Sequence, residues 1–400
     1  MLTLPSNREE QWRWSDLSAL PALAEARPTG RVPDSPPFLL TDGPKLLFVD
    51  GRFDPARSEP GPVKVGAVDI DGGIHPLARL TGSRGWRLHL RATHAAPGLV
   101  QIAHVTTGGA DHLAAEIVLD EDAQASIVET FVGDGWANRL TAITLARSAR
   151  LQLARRLLTA SGFVSLTDRA EVGQGASVDV VNLSTGAADT RLDADVRLTG
   201  TGAYAEVGGA LLARGRQRHD ANLVLHHAQP NGTSRQVWRS VADDRATCSV
   251  AARVEVARDA QKTDGEQSLR GLLLARTATV NAKPELEIYA DDVKCAHGAT
   301  VGELDKQALF YLGTRGVPPA QARALLTQAF VADALDRIGD EAVLEACRGD
   351  VRDWFAGPAL IQTMQNTFVP SENEGRGTDI EHRPSFSLGT NEIGSGRNAQ

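Results

Sequence analysis

Two residues near the end of the Gly-rich part of the chain carry side chains suited to metal chemistry. Cys295 and His297 lie in the segment 287–300, which reads EIYADDVKCAHGAT. If residues 293–297 are extended, both side chains point to the same face, about 6.6 Å apart, because a strand rises about 3.3 Å per residue. A thiolate and an imidazole are donors that iron and iron–sulfur clusters accept. The spacing is therefore compatible with two ligands of one shared site.

The protonation state of the thiol matters for this chemistry. Lys294 and a protonated His297 are expected to lower the pKa of the Cys295 thiol and so to favour the thiolate. The chain has three cysteines, the other two being Cys248 and Cys347, and none forms a CxxC pair. Three thiols cannot complete a four-thiolate zinc site, so a metal would need histidine, carboxylate or another chain's ligands. From the residues alone, a structural cysteine and histidine without any ligand is the more common case.

A second pair of possible ligands is His226 and His227, which end the apolar run that begins at Asn222. Adjacent residues on a strand face opposite sides. The pattern predicts that one histidine is buried and the other exposed, with a shared metal as the less common alternative.

Composition limits the classes of function. The 400 residues include 42 Lys and Arg against 50 Asp and Glu, which gives a formal net charge of −8. An acidic balance argues against nucleic acids or anionic membranes as partners, because both favour clustered basic residues. No apolar run reaches the roughly 18 residues that a membrane helix needs. The first ten residues lack a basic start and an apolar stretch, so a soluble cytoplasmic protein without a secretory signal is predicted.

The elements that must position these residues are predicted by an internal repeat. Its anchoring alanines are Ala123, Ala149, Ala176 and Ala203, so their spacing is constant to within one position. A second series aligns the hexapeptide that starts at Arg191 with the one at Arg218, at an offset of 27. Apolar and polar residues alternate within each unit, which is typical of strands. A period this short leaves no room for a helix and indicates a parallel β-solenoid; the alternative is a β-sandwich.

Four segments are expected along the chain: an N-terminal helical segment at 1–35, a solenoid core at 36–302, a helical segment at 303–357 and a mostly disordered tail at 358–400. In the third segment one short helix should end at Gly316, and Pro318 and Pro319 should open a longer one. Asp340 can cap a third helix that runs to Trp354. These helices could cap the open end of the solenoid or hold a partner.

Three runs of sequence carry a resemblance to a known family. Residues 284–302 read PELEIYADDVKCAHGATVG, residues 309–317 read LFYLGTRGV, and residues 4–17 read LPSNREEQWRWSDL. In these runs, and more loosely from about Pro5 to Leu344, the chain resembles the SufB/SufD family of the SUF iron–sulfur cluster assembly system. SufB-like chains carry a glutamate beside the equivalent histidine and a separate upstream cysteine. The Cys-Ala-His sequence here is similar to the SufD branch instead.

The resemblance implies a right-handed parallel β-helix followed by helices, and a non-catalytic role as a scaffold subunit. It implies a heterodimer with a SufB-like paralogue and a SufC-like ABC ATPase docked through helices within 304–338. It also implies a transient iron–sulfur cluster at the subunit interface. By residue matching, Cys295 and His297 are the interface residues expected to contact iron or the cluster. A flavin is possible in this system, but no residue of the sequence supports one.

Two other functions stay open at this point. The chain could be a purely structural β-helix adaptor for the ATPase, with no contact to iron. It could also be a β-helix enzyme that acts on polysaccharides. An aromatic content of only 5% and the expected lack of a secretory signal disfavour the enzyme, because polysaccharide sites use exposed aromatic residues.

Overall fold

The computed structural model describes residues 3–30 and 32–356, and these hold 17 strands in one sheet system together with four α-helices. The helices are α1 (Leu20–Glu25), α2 (Lys306–Thr314), α3 (Pro319–Leu335) and α4 (Glu341–Ala356). The first strands are β1 (Lys45–Val49), β2 (Arg52–Phe53), β3 (Lys64–Ala67), β4 (Arg84–Leu90), β5 (Val100–Leu119), β6 (Gln124–Leu145), β7 (Arg150–Leu157) and β8 (Phe163–Val172). The later strands are β9 (Ser177–Ser184), β10 (Asp189–Leu198), β11 (Tyr204–Ala213), β12 (Arg218–His227), β13 (Thr233–Ala242), β14 (Thr247–Val256), β15 (Asp264–Leu273), β16 (Thr279–Ile288) and β17 (Lys294–Glu303).

The strands from β5 onward form a parallel β-solenoid of about eight turns, as the repeat predicts. From β7 to β15, each strand pairs in parallel with the strand two places further along, so odd and even strands form two facing sheets. Sheet one runs from β7 through β9, β11, β13 and β15 to β17. Sheet two runs from β8 through β10, β12 and β14 to β16. The long strands β5 and β6 pass through both sheets. The parallel pairing excludes the antiparallel sandwich alternative.

The alanines of the repeat mark the turns that lead into sheet one, and all four are fully buried. The residue before each alanine has a positive φ, between 59° and 70°, at Asp122, Ser148, Gly175 and Gly202. Aspartate, serine and glycine adopt this left-handed conformation more readily than branched residues do. Backbone N–H groups at these turns bond to the next coil, as from Ser148 to the carbonyl of Gln174 at 2.9 Å. The repeat therefore reflects a turn that is stacked from coil to coil.

The offset of 27 residues that aligns Arg191 with Arg218 in the sequence is wrong for the structure. Asp189 pairs with Arg218, so Arg191 lies beside Asp220 and not beside Arg218. Ser184 pairs with Leu211, which lies 27 residues later in the chain, whereas Asp189 pairs with Arg218, which lies 29 residues later. The bend between the two strands of that coil is therefore two residues longer than in the coil before, which local similarity does not reveal.

The main core fills the space between the two sheets with inward aliphatic side chains and alanines. A second apolar cluster lies on the outer face of sheet one, where α3 and α4 pack. Val181, Leu212 and Val241 of the sheet contact this layer, which includes Leu335 of α3 and Trp354 of α4. Each fully buried Val or Leu side chain stabilises such a contact by about 1.5–3 kcal/mol. The last two helices therefore cover a sheet face, rather than the open end as the sequence analysis allowed.

The helix boundaries agree with the predicted ones. α2 ends at Thr314, and Gly316 follows with a φ of 83° that stops the helix. α3 begins at Pro319, and its last residue is Leu335. Asp340 caps α4, because its Oδ1 accepts a hydrogen bond from the backbone N–H of Val343 at 3.1 Å. Local signals were sufficient here, since caps and breakers act within one turn.

The N-terminal segment contains less helix than expected, namely a three-residue 3-10 turn at Glu10–Trp12 and the six-residue α1. It crosses the outer face of sheet two, where Trp12 is only 1% exposed and packs with Leu20, Leu77 and Trp136. The guanidinium carbon of Arg191 lies 4.3 Å from the centre of the Trp12 ring. All described residues fall within one compact unit. The predicted disordered tail lies outside the described residues.

Among the described residues, no helix is both long enough and apolar enough to span a lipid bilayer.

Candidate functional site

The solenoid ends in two strands that are paired on one side only within the described part of the chain. β16 bonds to β14 and β17 bonds to β15. The inward positions of the preceding strands are buried, whereas those of β16 are partly buried and those of β17 mostly exposed. Ile288, Tyr289 and Val301 are 39%, 64% and 45% exposed at this end. Unpaired edges and uncovered apolar side chains together make this open end a surface suited to pairing.

Cys295 and His297 both lie on β17, which is extended as the sequence analysis predicts. Their cross-strand partners are Gly265 and Gln267, whose side of β15 faces the solenoid interior. Cys295 is half-buried against the main core, and His297 is exposed. The strand thus presents a thiol and an imidazole on one side, at the mouth of the solenoid. Both are donors that fit iron or an iron–sulfur cluster.

Burial raises the pKa of the Cys295 thiol above its ordinary value, and the nearby Asp264 carboxylate raises it further. A backbone hydrogen bond at Gly265 opposes this shift only in part. The prediction of a lowered thiol pKa is therefore wrong for this chain by itself. The reason is geometric, because Lys294 and Cys295 are adjacent on a strand and point to opposite faces. The direction of this shift favours the thiol over the thiolate at Cys295 in the free chain.

The other two cysteines are buried structural residues. Cys248 lies in the main core and is fully buried, which raises the pKa of its thiol strongly. Cys347 packs between α4 and sheet one, where burial raises its pKa to about 12. All three thiols are free. Among them, only Cys295 lies at a surface where it could meet a ligand.

The histidine pair behaves as the strand pattern predicts. His227 is 1% exposed, and its Nε2 lies 2.8 Å from the hydroxyl of Ser234. Burial lowers the pKa of His227 to about 4. His226 faces outward between Asp195 and Glu255, with nitrogen–oxygen distances of 3.3 and 2.6 Å. Because the two rings lie on opposite faces of β12, they do not share one ion.

Behind Cys295 and His297, the interior of the solenoid becomes polar, and sequence reasoning missed this feature. The row that ends at Cys295 runs through Ala125, Leu151, Val178, Ala205, Ser234 and Gly265. The row that ends at His297 runs through Ile127, Leu153, Val180, Val207, Gln236 and Gln267. Val207 and Gln236 lie opposite each other on neighbouring strands, because the cross-strand pairs before and after them are separated by the same number of residues. We call each strand level of these rows a rung. The last three rungs, on β13, β15 and β17, thus carry small or polar residues, whereas the earlier rungs are apolar.

A signal for these rows exists in the sequence, but it depends on knowing the register. Tyr204 pairs with Thr233, Thr233 with Asp264 and Asp264 with Lys294. Each of these steps along the chain is longer than any interval between the anchoring alanines. Gln236 and Gln267 can be placed in line with His297 only after those lengths are known.

A second exposed apolar surface lies on the helices that follow β17. α2 has no buried residue, and Phe310 and Tyr311 are 74% and 58% exposed. Leu325 of α3 is 44% exposed. Six of the eight large, exposed hydrophobic residues in the described chain lie between 288 and 325, at the open end or on these helices. Such clustering marks interaction surfaces rather than scattered surface apolar residues.

The comparisons with known proteins agree on one family. The family model described as "SUF system FeS cluster assembly, SufBD core domain" matches residues 104–330. The iron-sulfur cluster assembly protein SufD of Escherichia coli K12 is 28% identical over 370 residues, which cover 85% of this chain and 86% of that protein. A SufBD family protein of Synechocystis, slr0076, is 25% identical over 383 residues and covers 84% of both chains. The chloroplastic protein ABCI7 of Arabidopsis thaliana is 30% identical over 246 residues, 59% of this chain and 51% of its own length.

Proposed function

We propose, from the premise that the chain belongs to the SufBD core family of the SUF iron–sulfur cluster assembly system, that it is a non-catalytic scaffold subunit of the SufD type. It takes part in iron–sulfur cluster assembly by offering Cys295 and His297 at a joint made with a SufB-like paralogue. The observation that carries the proposal is the open last rung, on which both donors lie beside unpaired strand edges. Three free thiols suit the reducing cytoplasm.

The donor set supports a shared and transient site. Among the described residues, no group of three or more His, Cys, Asp or Glu side chains is arranged to hold a metal ion. An iron–sulfur cluster is normally held by four thiolates, two of which histidines can replace. A thiol and an imidazole from this chain therefore need donors from the paralogue to complete the cluster, which is cargo here. Binding requires Cys295 to release its proton, so its raised pKa disfavours metal capture by the lone subunit.

The heterodimer surface is assigned to the open end. Within the described part of the chain, β16 and β17 each offer a free edge of ten residues, and the adjacent Ile288, Tyr289 and Val301 are exposed. A paralogue with a matching open end would cover these side chains and pair the free edges. Pairing there would place Cys295 and His297 inside the joint.

The docking surface for the SufC-like ABC ATPase is assigned to helices within 304–338. Phe310 and Tyr311 on α2 and Leu325 on α3 offer exposed apolar contacts, while α3 and α4 anchor the layer on sheet one. Because α2 follows β17 directly, a movement of the ATPase could reach the last rung through a short connection. The helices and the metal donors would then be mechanically linked.

The decisive experiment measures cluster formation in the complex of this chain with the SufB-like paralogue and the SufC-like ATPase. Cys295→Ser and His297→Ala are each expected to lower the iron and sulfide bound after anaerobic assembly. His94→Ala is the control, because His94 is an exposed histidine in a distant turn. Normal iron and sulfide in both variants, with normal assembly of the complex, would favour the adaptor that makes no contact with iron.

The two surfaces can be tested separately by co-purification. Ile288→Glu should abolish pairing with the paralogue, and Ile74→Glu is its control because Ile74 is 96% exposed elsewhere. Phe310→Ala should weaken retention of the ATPase, and Leu40→Ala is its control at a residue that is fully exposed. If each pair of variants behaves alike, the assigned surface is wrong. Depolymerisation of pectin-like polymers by the chain would instead support the polysaccharide enzyme.

A further inference from the structure

The row of inward residues that ends at His297 changes its chemistry in the last three rungs. Its earlier members are Ile127, Leu153, Val180 and Val207, all of which belong to the main apolar core. Gln236 and Gln267 follow, 0% and 1% exposed. Burying an amide among aliphatic side chains is unfavourable unless its polar atoms are bonded. Two consecutive buried amides directly behind an exposed histidine therefore need a specific reason.

The amide nitrogen of Gln267 is hydrogen-bonded, whereas its amide oxygen is not bonded to any described residue. Its Nε2 donates to Oε1 of Gln236 at 2.6 Å and to the carbonyl oxygen of Ala252 at 2.8 Å. A backbone carbonyl can only accept, so the bond to Ala252 fixes which side of the amide carries the nitrogen. The Oε1 of Gln267 is buried and has no hydrogen-bond partner among the residues that the structure describes.

The unpartnered oxygen has two polar neighbours in its row: Gln236 behind it, whose Nε2 also lacks a partner among the described residues, and His297 on the open side. Both acceptors of the Gln267 Nε2 belong to β13 and β14, which precede it along the solenoid. On the other side, the cross-strand partner of Gln267 is His297. Neighbouring strands lie about 4.8 Å apart, so side chains in one row reach each other. His297 is exposed, and an exposed side chain changes rotamer readily.

We propose that Gln267 is a positioning residue for His297. Its Oε1 accepts a hydrogen bond from one ring N–H of His297, which leaves the second ring nitrogen unprotonated and directed into the joint. Histidines that bind metals usually donate their other N–H to a carbonyl or carboxylate, which fixes the tautomer and the ring orientation. Gln236 and Ala252 hold the Gln267 amide in place from behind. This inference rests on the proposed function in so far as the freed nitrogen serves iron.

The test reads the tautomer of His297 directly in the full chain. Nitrogen-15 labelled histidine is incorporated, and the His297 ring signals are assigned by their loss in His297→Ala. The parent chain should show one dominant neutral tautomer, and Gln267→Leu should show a mixture of both. Leucine suits the site, because the earlier rungs carry aliphatic residues there. Gln101→Leu is the control, because Gln101 is a buried amide on β5 outside this row, and it should keep the parent tautomer.

A second measurement follows ferrous iron binding by the anaerobic complex with the paralogue. Gln267→Leu should weaken the affinity by about 10–100-fold, the usual effect of removing such a partner. Gln267→Met is made alongside, as a variant of nearly the same shape, so that a folding defect specific to leucine is recognised by thermal unfolding.

The outcomes separate this inference from the proposed function. An unchanged His297 tautomer in both Gln267 variants, or an equal change in Gln101→Leu, overturns the positioning role and leaves the scaffold function standing. A changed tautomer together with normal cluster formation in His297→Ala supports the hydrogen bond but removes the role of His297 in assembly.

Discussion

Asp350 on α4 accepts both arms of the Arg156 guanidinium on β7, with Nε–Oδ2 and Nη2–Oδ1 distances of 2.7 and 2.8 Å. The two side chains are only 10% and 11% exposed. A two-pronged, charge-assisted contact is among the stronger polar contacts in proteins and also fixes orientation. This pair therefore holds the last described helix in a defined position on sheet one.

Removing one partner of this pair should loosen α4. Arg156→Ala leaves the Asp350 carboxylate largely buried without its cation, and we expect a loss of about 3 kcal/mol in the free energy of unfolding. Urea unfolding measures the loss, and amide hydrogen exchange should show faster exchange in α4 than in β7. Arg352→Ala on the same helix is the control, because Arg352 is exposed. Equal stability of the two variants would contradict the assigned anchoring role.

A buried ionic cluster in the first coils should make stability depend on acid. Arg155 bonds to Glu129 at 2.7 Å and to both carboxylate oxygens of Asp168 at 2.5 and 2.8 Å. Burial opposes ionisation of Glu129, but Arg155 and His104 outweigh it and lower its pKa from 4.5 to about 2. The lowered pKa favours the folded state above pH 4.5, and this contribution is lost as the pH falls toward 2.

We expect Glu129→Gln to remove much of the change in unfolding free energy between pH 4.5 and 2. Urea unfolding at a series of pH values measures it. Glu171→Gln, an exposed site on β8, should leave the pH profile unchanged. Arg155→Leu should be far more harmful, by about 3–5 kcal/mol, because it removes the cation that two buried carboxylates share. A Glu129→Gln profile that matches the parent would contradict the assignment.

Asp179 should change the pH dependence of folding stability in the direction opposite to Glu129. Burial raises its pKa from 3.8 to about 6, with a smaller contribution from the neighbouring Glu206 carboxylate on β11. Arg337 pairs with Glu206, and Asp340 lines the same cleft. A raised pKa favours the folded state below pH 3.8, and that advantage disappears as the pH rises through 6.

Asp179→Asn should therefore raise the unfolding temperature at pH 7 to 8, with a gain of about 1–3 kcal/mol in unfolding free energy, and should have little effect near pH 4. Thermal unfolding across this pH range measures the difference. Asp259→Asn, at an exposed turn residue, is the control. A variant that is less stable than the parent at pH 8 would show that the carboxylate has a stabilising partner.

Alkylation should distinguish the three thiols. Burial raises the pKa of the Cys295 thiol, so its reaction with iodoacetamide should be slow at pH 7 and accelerate as the pH rises. Cys248 and Cys347 are fully buried and should be labelled only after unfolding. Mass spectrometry of the folded chain identifies the site, and Cys295→Ser should abolish labelling. A rate that is already maximal at pH 7 would indicate a thiolate and contradict this assignment.

Part of the fold follows from short stretches of sequence. The buried alanines after Asp122 and Ser148, the stop at Gly316 and the cap at Asp340 were all predictable, because turns and caps depend on a few neighbouring residues. The alignment of Arg191 with Arg218 failed, since one bend is two residues longer than the one before. The lowered pKa expected for Cys295 failed too, since burial is set by residues of another coil.

By itself, the sequence determined the repeating strands, the boundaries of the helices after β17, and that Cys295 and His297 lie on one face of an extended segment. These depend on backbone preferences and a two-residue alternation, which are local. Only the tertiary structure decided that this segment is the last rung, that buried amides stand behind it, and that α3 and α4 cover a sheet face. Those facts depend on coil lengths, which add up along the solenoid, so that the neighbours of each residue lie a whole coil away in the chain.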